Sequence, residues 1–223
     1  MKITPLTIEA LKSFAQINQN IVIKSGHPIR TIAPAKNVLA EFTPTEEFPV
    51  TFGIYDLNEF LASLSLVDDA ELEFADKSVT IKNDSSNVKY YFSEVGNLSV
   101  PPEKNIEMPS TDVTVTITDD HLAQIRKVSS ILKHTECAIV GSGNKATLTV
   151  LDTNDKTANT FVMELSDVES TLDSYSFIFN IPNLKVMQGD YKVSLSKALI
   201  SHWENTVYDV SYHVALEVTS EVS

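Results

Sequence analysis

The chain has 223 residues, 43% of them hydrophobic and 21% charged, which is enough apolar content for one large core or two smaller ones and too much for a disordered tail. Asp and Glu total 30 against 17 Lys and Arg, so the net charge of −13 excludes a protein that clamps nucleic acid through overall positive charge, though not one with a small basic face. The single cysteine, Cys137, excludes an intrachain disulfide framework and a four-thiolate zinc site, and fits a reducing cytosol.

No stretch approaches 18 consecutive apolar residues, and Met1-Lys2-Ile3-Thr4-Pro5 lacks the basic start and apolar run of a secretion signal. The expectation is a soluble intracellular protein with no membrane partner. The first pattern is helical. Thr7 reads as an N-cap, and Ile8, Leu11, Phe14 and Ala15 recur on one stripe, with Lys12, Gln16 and Gln19 opposite. Strand-like runs follow at 21–23, 29–32 and 38–42, separated by the turn chemistry of Ser25-Gly26-His27-Pro28 and Ala33-Pro34-Ala35-Lys36-Asn37. If Lys2-Ile3-Thr4 begins a strand, the segment reads β-α-β-β-β. The same order recurs: a strand over 48–55, a short helix over 56–66 capped by Asp56, and strands at 71–74, 78–82 and 88–92.

Residues 96–110 differ. Pro101, Pro102 and Pro109 resist both helix and central strand, so this stretch reads as a connector between a first domain over 1–95 and a second over 111–223. The second domain starts again with a strand at 113–117 and a helix from about Asp120 to Lys133, capped by Thr118 or Asp119, with Leu122, Ile125, Ser129 and Leu132 on one stripe. Strands are expected at 136–140, 146–151, 160–165 and 174–179. Ile181 to Gly189 reads as a short helix with Pro182 in its first turn and Gly189 at its end, before strands at 191–197, 199–204 and 207–218. The halves correspond in order: Ile3-Thr4 with Ile117-Thr118, 69–74 with 190–195, and 88–95 with 211–218. An internal duplication of ~110 residues follows, each half holding the β-α-β-β-β unit twice, an α+β fold with four helices.

Chemistry is sparse. His27, His121, His134, His202 and His213 show no i, i+4 pairing for a metal, and His134 with Cys137 supplies too few ligands for zinc. Gly141-Ser142-Gly143-Asn144-Lys145 lacks phosphate-loop spacing and leads into a strand, so it reads as a hairpin turn. The adjacent carboxylates at 46–47, 68–69 and 119–120 do not show convergence in a pocket, and no G-x-S-x-G is present. The expectation is a non-enzyme with no catalytic residue, metal or cofactor. Charge placement is more informative. The four expected helices carry Glu9, Asp56, Glu59, Asp119 and Asp120 against Lys12, Arg126, Lys127, Lys133 and Lys185, so the excess negative charge lies on strands and loops.

Thr7-Ile8-Glu9-Ala10-Leu11-Lys12-Ser13-Phe14-Ala15-Gln16-Ile17-Asn18 and Ile23-Lys24-Ser25-Gly26 resemble the opening of the sliding clamps of T-even-like tailed phages. So do Ile54-Tyr55-Asp56-Leu57-Asn58-Glu59-Phe60-Leu61, Leu64-Ser65-Leu66-Val67, Asn183-Leu184-Lys185, Gly189-Asp190-Tyr191-Lys192 and Val214-Ala215-Leu216-Glu217. The resemblance spans both halves and is weak through 70–110 and 140–175. It implies a DNA-clamp fold of two similar domains, antiparallel sheets outside and helices inside. Three chains would close head to tail into a homotrimeric ring whose twelve helices line a hole for duplex DNA. The ring would tether the replicative DNA polymerase as a processivity factor, be placed by an ATP-driven clamp loader, and work in the cytoplasm of the infected bacterial host. Lys12, Arg126, Lys127, Lys133 and Lys185 are the implied DNA-facing residues. Tyr90, Tyr91 and Val162 are the implied subunit-interface residues, and Ile106 and Met108 the implied pocket for a partner's apolar tail. The rival readings are a phage structural or oligomeric binding protein with the same acidic β-rich shell, and an uncharacterised enzyme.

Overall fold

The computed structural model describes residues 1–104 and 106–223; Asn105, inside the expected connector, lies outside the described residues. The chain divides into two compact units, Met1–Glu103 and Lys104–Ser223.

The first unit opens with α1 (Pro5–Ile17). The helix starts one turn before the expected Thr7. Thr4 is the N-cap, its hydroxyl accepting from the Thr7 backbone N–H at 3.2 Å, and Pro5 fills the first turn, where a missing N–H costs nothing. The Glu46 carboxylate accepts from the Thr4 backbone N–H at 3.0 Å. Burial, the largest single effect, would raise the Glu46 carboxyl, but that bond and the other hydrogen bonds together outweigh it and hold the carboxyl below its ordinary range. The buried residues are Thr7, Ala10, Leu11, Ser13, Phe14 and Ile17; of the expected stripe, Leu11 and Phe14 are buried while Ile8 and Ala15 are only half-buried.

Strands β1 (Ile21–Ile23), β2 (Ile29–Ile32), β3 (Val38–Phe42) and β4 (Phe52–Ile54) follow, with β2 against β3 and β1 against β4, all antiparallel. Only 52–54 of the strand expected over 48–55 forms. Helix α2 (Leu57–Ser65) starts at Asp56, whose carboxylate accepts from the Asn58 and Glu59 N–H groups and from the Gln19 side chain. The hairpins β5 (Glu71–Phe74), β6 (Ser78–Lys82) and β7 (Asn87–Tyr91) form a three-stranded sheet in that order. α1 packs on α2, and α2 on β7. Phe48, Phe52, Phe74 and Phe92 cluster at centroid separations of 4.8–6.3 Å.

The second unit repeats the opening. β8 (Val113–Ile117) leads into α3 (Asp119–Leu132), capped by Thr118, whose hydroxyl accepts from the His121 N–H while the His121 ring accepts from the Thr118 N–H. Thr4 and Thr118 thus hold equivalent places, as the aligned Ile-Thr pairs imply. Leu122, Ile125 and Val128 face the core. β9 (Glu136–Ser142), β10 (Lys145–Leu151), β11 (Phe161–Leu165), β12 (Glu169–Ser170), β13 (Tyr175–Asn180), β14 (Tyr191–Ser196), β15 (Ile200–Asn205), β16 (Val210–Ala215) and β17 (Glu221–Val222) build two antiparallel arrays, β11-β10-β9-β13-β17 and β12-β8-β14-β15-β16. Gly143, at φ +52°, turns the tight β9–β10 hairpin.

One expected element is absent. The segment 181–189 is not an α-helix: only Ile181–Asn183 form a 3-10 turn, and the rest is irregular. Its backbone groups are taken by other partners. The Met187 N–H donates to the Tyr212 hydroxyl at 3.1 Å, and the Met187 carbonyl accepts from the Tyr191 hydroxyl at 2.9 Å. The Gly189 N–H donates to Asp119 Oδ1 at 3.1 Å, with Gly189 at φ +133°. Three α-helices, not four, are present among the described residues. Tyr191, Tyr212 and Trp203 are fully buried and meet edge to face, and the Trp203 indole donates to Ser201 Oγ, which donates to the Val214 carbonyl.

Two outcomes are expected. Tyr212→Phe leaves the buried Met187 N–H without its acceptor and lowers unfolding free energy by ~1–3 kcal/mol in urea titration; an unchanged midpoint contradicts that account of the segment. Cys137 is fully buried, and burial pushes its thiol up to about 12. The folded protein should therefore resist a thiol reagent at pH 8 and react at one site once unfolded in guanidinium; rapid labelling without denaturant contradicts the burial.

Candidate nucleic-acid interface and strand edges

The three helices present narrow solvent-facing stripes. On α1, burial of Leu11 and Phe14 turns Glu9, Lys12 and Gln16 outward at helical spacing, and Lys12 makes no ion pair among the described residues. On α2 the outward residues are Asn58, Glu59, Ala62 and Ser65, with no basic group. Asp56 is fully occupied as the cap, and its bond to Gln19 and those to the two N–H groups hold its carboxyl below the ordinary range.

On α3, Asp119 and Asp120 lie in the first turn, where the helix dipole favours negative charge. Arg126 and Lys127 lie between the buried Ile125 and Val128 and are both exposed. They diverge in use. Arg126 reaches sideways, and its Nη2 donates to the Val186 carbonyl at 3.4 Å. Lys127 makes no ion pair among the described residues. Lys133 is exposed one residue past the helix, in the left-handed region at φ +62°, as the C-cap. There its charge lies next to the unpaired carbonyls of the helix end. Lys185 is exposed, but the segment carrying it is not helical, so it belongs to no helix face.

The charge reading shifts accordingly. The helices observed carry Glu9, Glu59, Asp119 and Asp120 against Lys12, Arg126 and Lys127, a net charge of −1. With the chain at −13, the remaining residues hold −12. The helices thus stay near neutral, one unit more negative than the even balance expected from sequence, and most of the acidity lies on strands and loops. Two acidic patches are concrete. A groove of about 570 Å³ in the first unit is lined by Asp68, Asp69, Glu71 and Asp84, with Lys2 and Lys82 at its walls. Another of about 550 Å³ in the second unit is lined by Asp152, Asp155, Lys156, Ser176, Ile178 and Glu221 among others. Neither is lined by Ile106 or Met108, which are half-buried near the start of the second unit. Among the described residues no three His, Cys, Asp or Glu side chains gather as a metal site. No helix is long and apolar enough to cross a membrane.

The strand edges hold the other expected residues. β7 ends the three-stranded sheet and β11 ends the five-stranded array. Tyr90 and Tyr91 point to opposite faces of β7, as alternation requires. Tyr90 is half-buried, its ring edge to face with Phe60 at 5.2 Å and its hydroxyl donating to the Asp56 carbonyl at 3.4 Å. Burial and the nearby Glu59 and Asp56 raise its hydroxyl above the ordinary range. Tyr91 is 66% exposed, with the Lys89 ammonium 5.2 Å from its ring centroid. Val162 is 52% exposed, on the same face of β11 as Glu164. Sequence reasoning placed all three at edges without separating Tyr90, which α2 holds. It also missed Glu164, which shares Val162's outer face; the two-residue alternation through Val162 and Glu164 was the available signal.

Comparison with known proteins agrees with this architecture. Residues 2–96 match the family described as DNA polymerase processivity factor. Over 97% of this chain and 99% of its own length, the sliding clamp of Vibrio phage KVP40 is 30% identical. The sliding clamps of Escherichia phage RB69 and Enterobacteria phage T4 are 31% and 32% identical, each over 99% of this chain and 98% of the relative. Among solved structures, A. fulgidus PCNA bound to the C-terminal region of FEN-1 superposes with a TM-score of 0.69 at 14% identity, over 97% of this chain and 96% of that one. Proliferating Cellular Nuclear Antigen from Entamoeba histolytica gives 0.67 at 17% identity, over 95% of each chain. At such identity these two show the fold alone. The shared length and sequence of the phage proteins carry the assignment: this chain belongs to the sliding-clamp family of DNA polymerase processivity factors.

Proposed function

We propose that three copies of this chain close head to tail into a ring that encircles duplex DNA and slides on it, with α1, α2 and α3 turned to the hole. The observation that supports this reading is the charge partition: the helices hold −1 of the −13, so among the described elements they are a surface where a polyanion meets little net repulsion. Duplex DNA carries one negative charge per ~1.7 Å, and a strongly basic lining would bind it and stop. A nearly neutral lining with a few cations holds DNA by enclosure and touches phosphates alone, largely through water.

In this reading Lys12 and Lys127 face the phosphates directly. Arg126 contributes from the rim of its helix, Lys133 from the end of α3, and Lys185 from the irregular segment beside Val186. β7 of one copy meets β11 of the next, through Tyr91 and Val162 on the outer face, with Tyr90 bracing β7 from beneath. Ile106 and Met108 receive the apolar tail of a partner such as the polymerase. An ATP-driven loader opens the ring, and the protein works in the cytoplasm of the infected host. The clamp itself hydrolyses nothing.

The test is extension on primed circular DNA with polymerase and loader. The chain should lengthen products severalfold; no lengthening contradicts the reading. Changing Lys12, Arg126 and Lys127 together to Glu should reduce loading at least tenfold at moderate salt, with circular dichroism and ring mass unchanged. Full activity of that variant removes these residues from the DNA-facing set.

A further inference from the structure

The edges at β7 and β11 constrain which of their residues could lie opposite a paired strand. In an antiparallel strand only every second residue turns its N–H and C=O toward a given neighbour. Asn83 N–H donates to Ser86 C=O and Phe92 N–H to Lys77 C=O, so Val88, Tyr90 and Phe92 spend their backbone groups on β6. Asn87, Lys89 and Tyr91 therefore aim theirs off the edge. The tight hairpin pairing Ser142 with Lys145 sets β9 against Lys145, Thr147, Thr149 and Leu151, leaving Ala146, Leu148 and Val150 to bond Leu165, Met163 and Phe161. Val162 and Glu164 then point their backbone groups outward.

The outward residues are also the exposed ones on both strands: Lys89 and Tyr91 on β7, Val162 and Glu164 on β11. Faces and hydrogen bonds thus agree on which residues can lie opposite, leaving registers that differ by two. One places Lys89 opposite Val162 and another places Tyr91 opposite Glu164. A third places Lys89 opposite Glu164 and Tyr91 opposite Val162, and on the inner face Val88 opposite Leu165 and Tyr90 opposite Met163. Only this third register joins opposite charges and covers both exposed apolar side chains at once.

We propose that β7 of one copy pairs antiparallel with β11 of a second copy in the register Lys89–Glu164 and Tyr91–Val162, with Lys89 and Glu164 forming an ion pair between subunits. This rests on the ring reading above and adds its register. Neither charge has an ion-pair partner among the described residues, so the copy's edge is where each is neutralised.

Light scattering on the full chain across a dilution series tests it. Lys89→Glu and Glu164→Lys should each raise the concentration for half-dissociation at least tenfold. The double exchange K89E/E164K should return it to within threefold of the original. If the parent chain assembles and the double exchange stays as dissociated as the single variants, the register is wrong while the ring stands. If the parent chain is a monomer throughout, the ring reading itself fails. A second readout fixes the register by cross-linking, since Cα atoms of a hydrogen-bonded pair lie ~5.5 Å apart, within disulfide reach, and buried Cys137 does not compete. Y91C/V162C should oxidise to linked chains, and Y91C/E164C or Y91C/T160C should not. Preferential linkage in either of the latter overturns the proposal.

Discussion

An open β-sheet ends in backbone groups that nothing in the chain satisfies. β7 and β11 are the five-residue terminal strands of their sheets, one in each unit, and each carries alternate N–H and C=O groups turned to solvent. Two such edges, different from each other, are not matched by a two-fold dimer using one patch; the ring proposed above is the arrangement that would set one against the other. α2 holds Tyr90 under β7, and the arrays of the second unit hold β11 through β10 and β9.

The second constraint is electrostatic. A protein at −13 that works on DNA gains nothing from general attraction. In the proposed ring, concentrating the negative charge on strands and loops and keeping the three helices near neutral would let phosphate approach the helices without adhering. The caps contribute here as well as to stability. Asp56, Asp119 and Asp120 sit at helix starts, where their charges are offset by unpaired N–H groups, so part of the helices' formal negative charge is locally compensated. Lys133, past the end of α3, is compensated in the opposite sense.

Much of this was legible in residue patterns. The strands 21–23, 29–32, 38–42, 71–74, 78–82 and 113–117 coincide with alternating or β-branched runs between turn residues, and α2 and α3 begin at their expected caps. The duplication was visible in the paired Ile-Thr steps, which prove to be matching caps at Thr4 and Thr118. What local pattern could not supply was tertiary competition for backbone groups. Residues 181–189 have a proline near their start and a glycine at their end, as a helix would. Tyr212 and Asp119, distant in sequence, and Tyr191, just past the segment, take the bonds that a helix needs. Lys185 lost its helix for that reason, and Arg126 turned toward Val186 because an irregular carbonyl was there to receive it. Tyr90 and Tyr91 look alike in sequence, and only the position of Phe60 separates a packing residue from an edge residue.

Enclosure differs from adhesion in one measurable respect: it depends on whether the DNA has an end. Loaded onto nicked circular duplex and passed through a sizing column, the protein should stay with the DNA. Cutting the circle once should release it within the time of the run. Equal retention on circular and linear molecules, or release from both, would contradict the account.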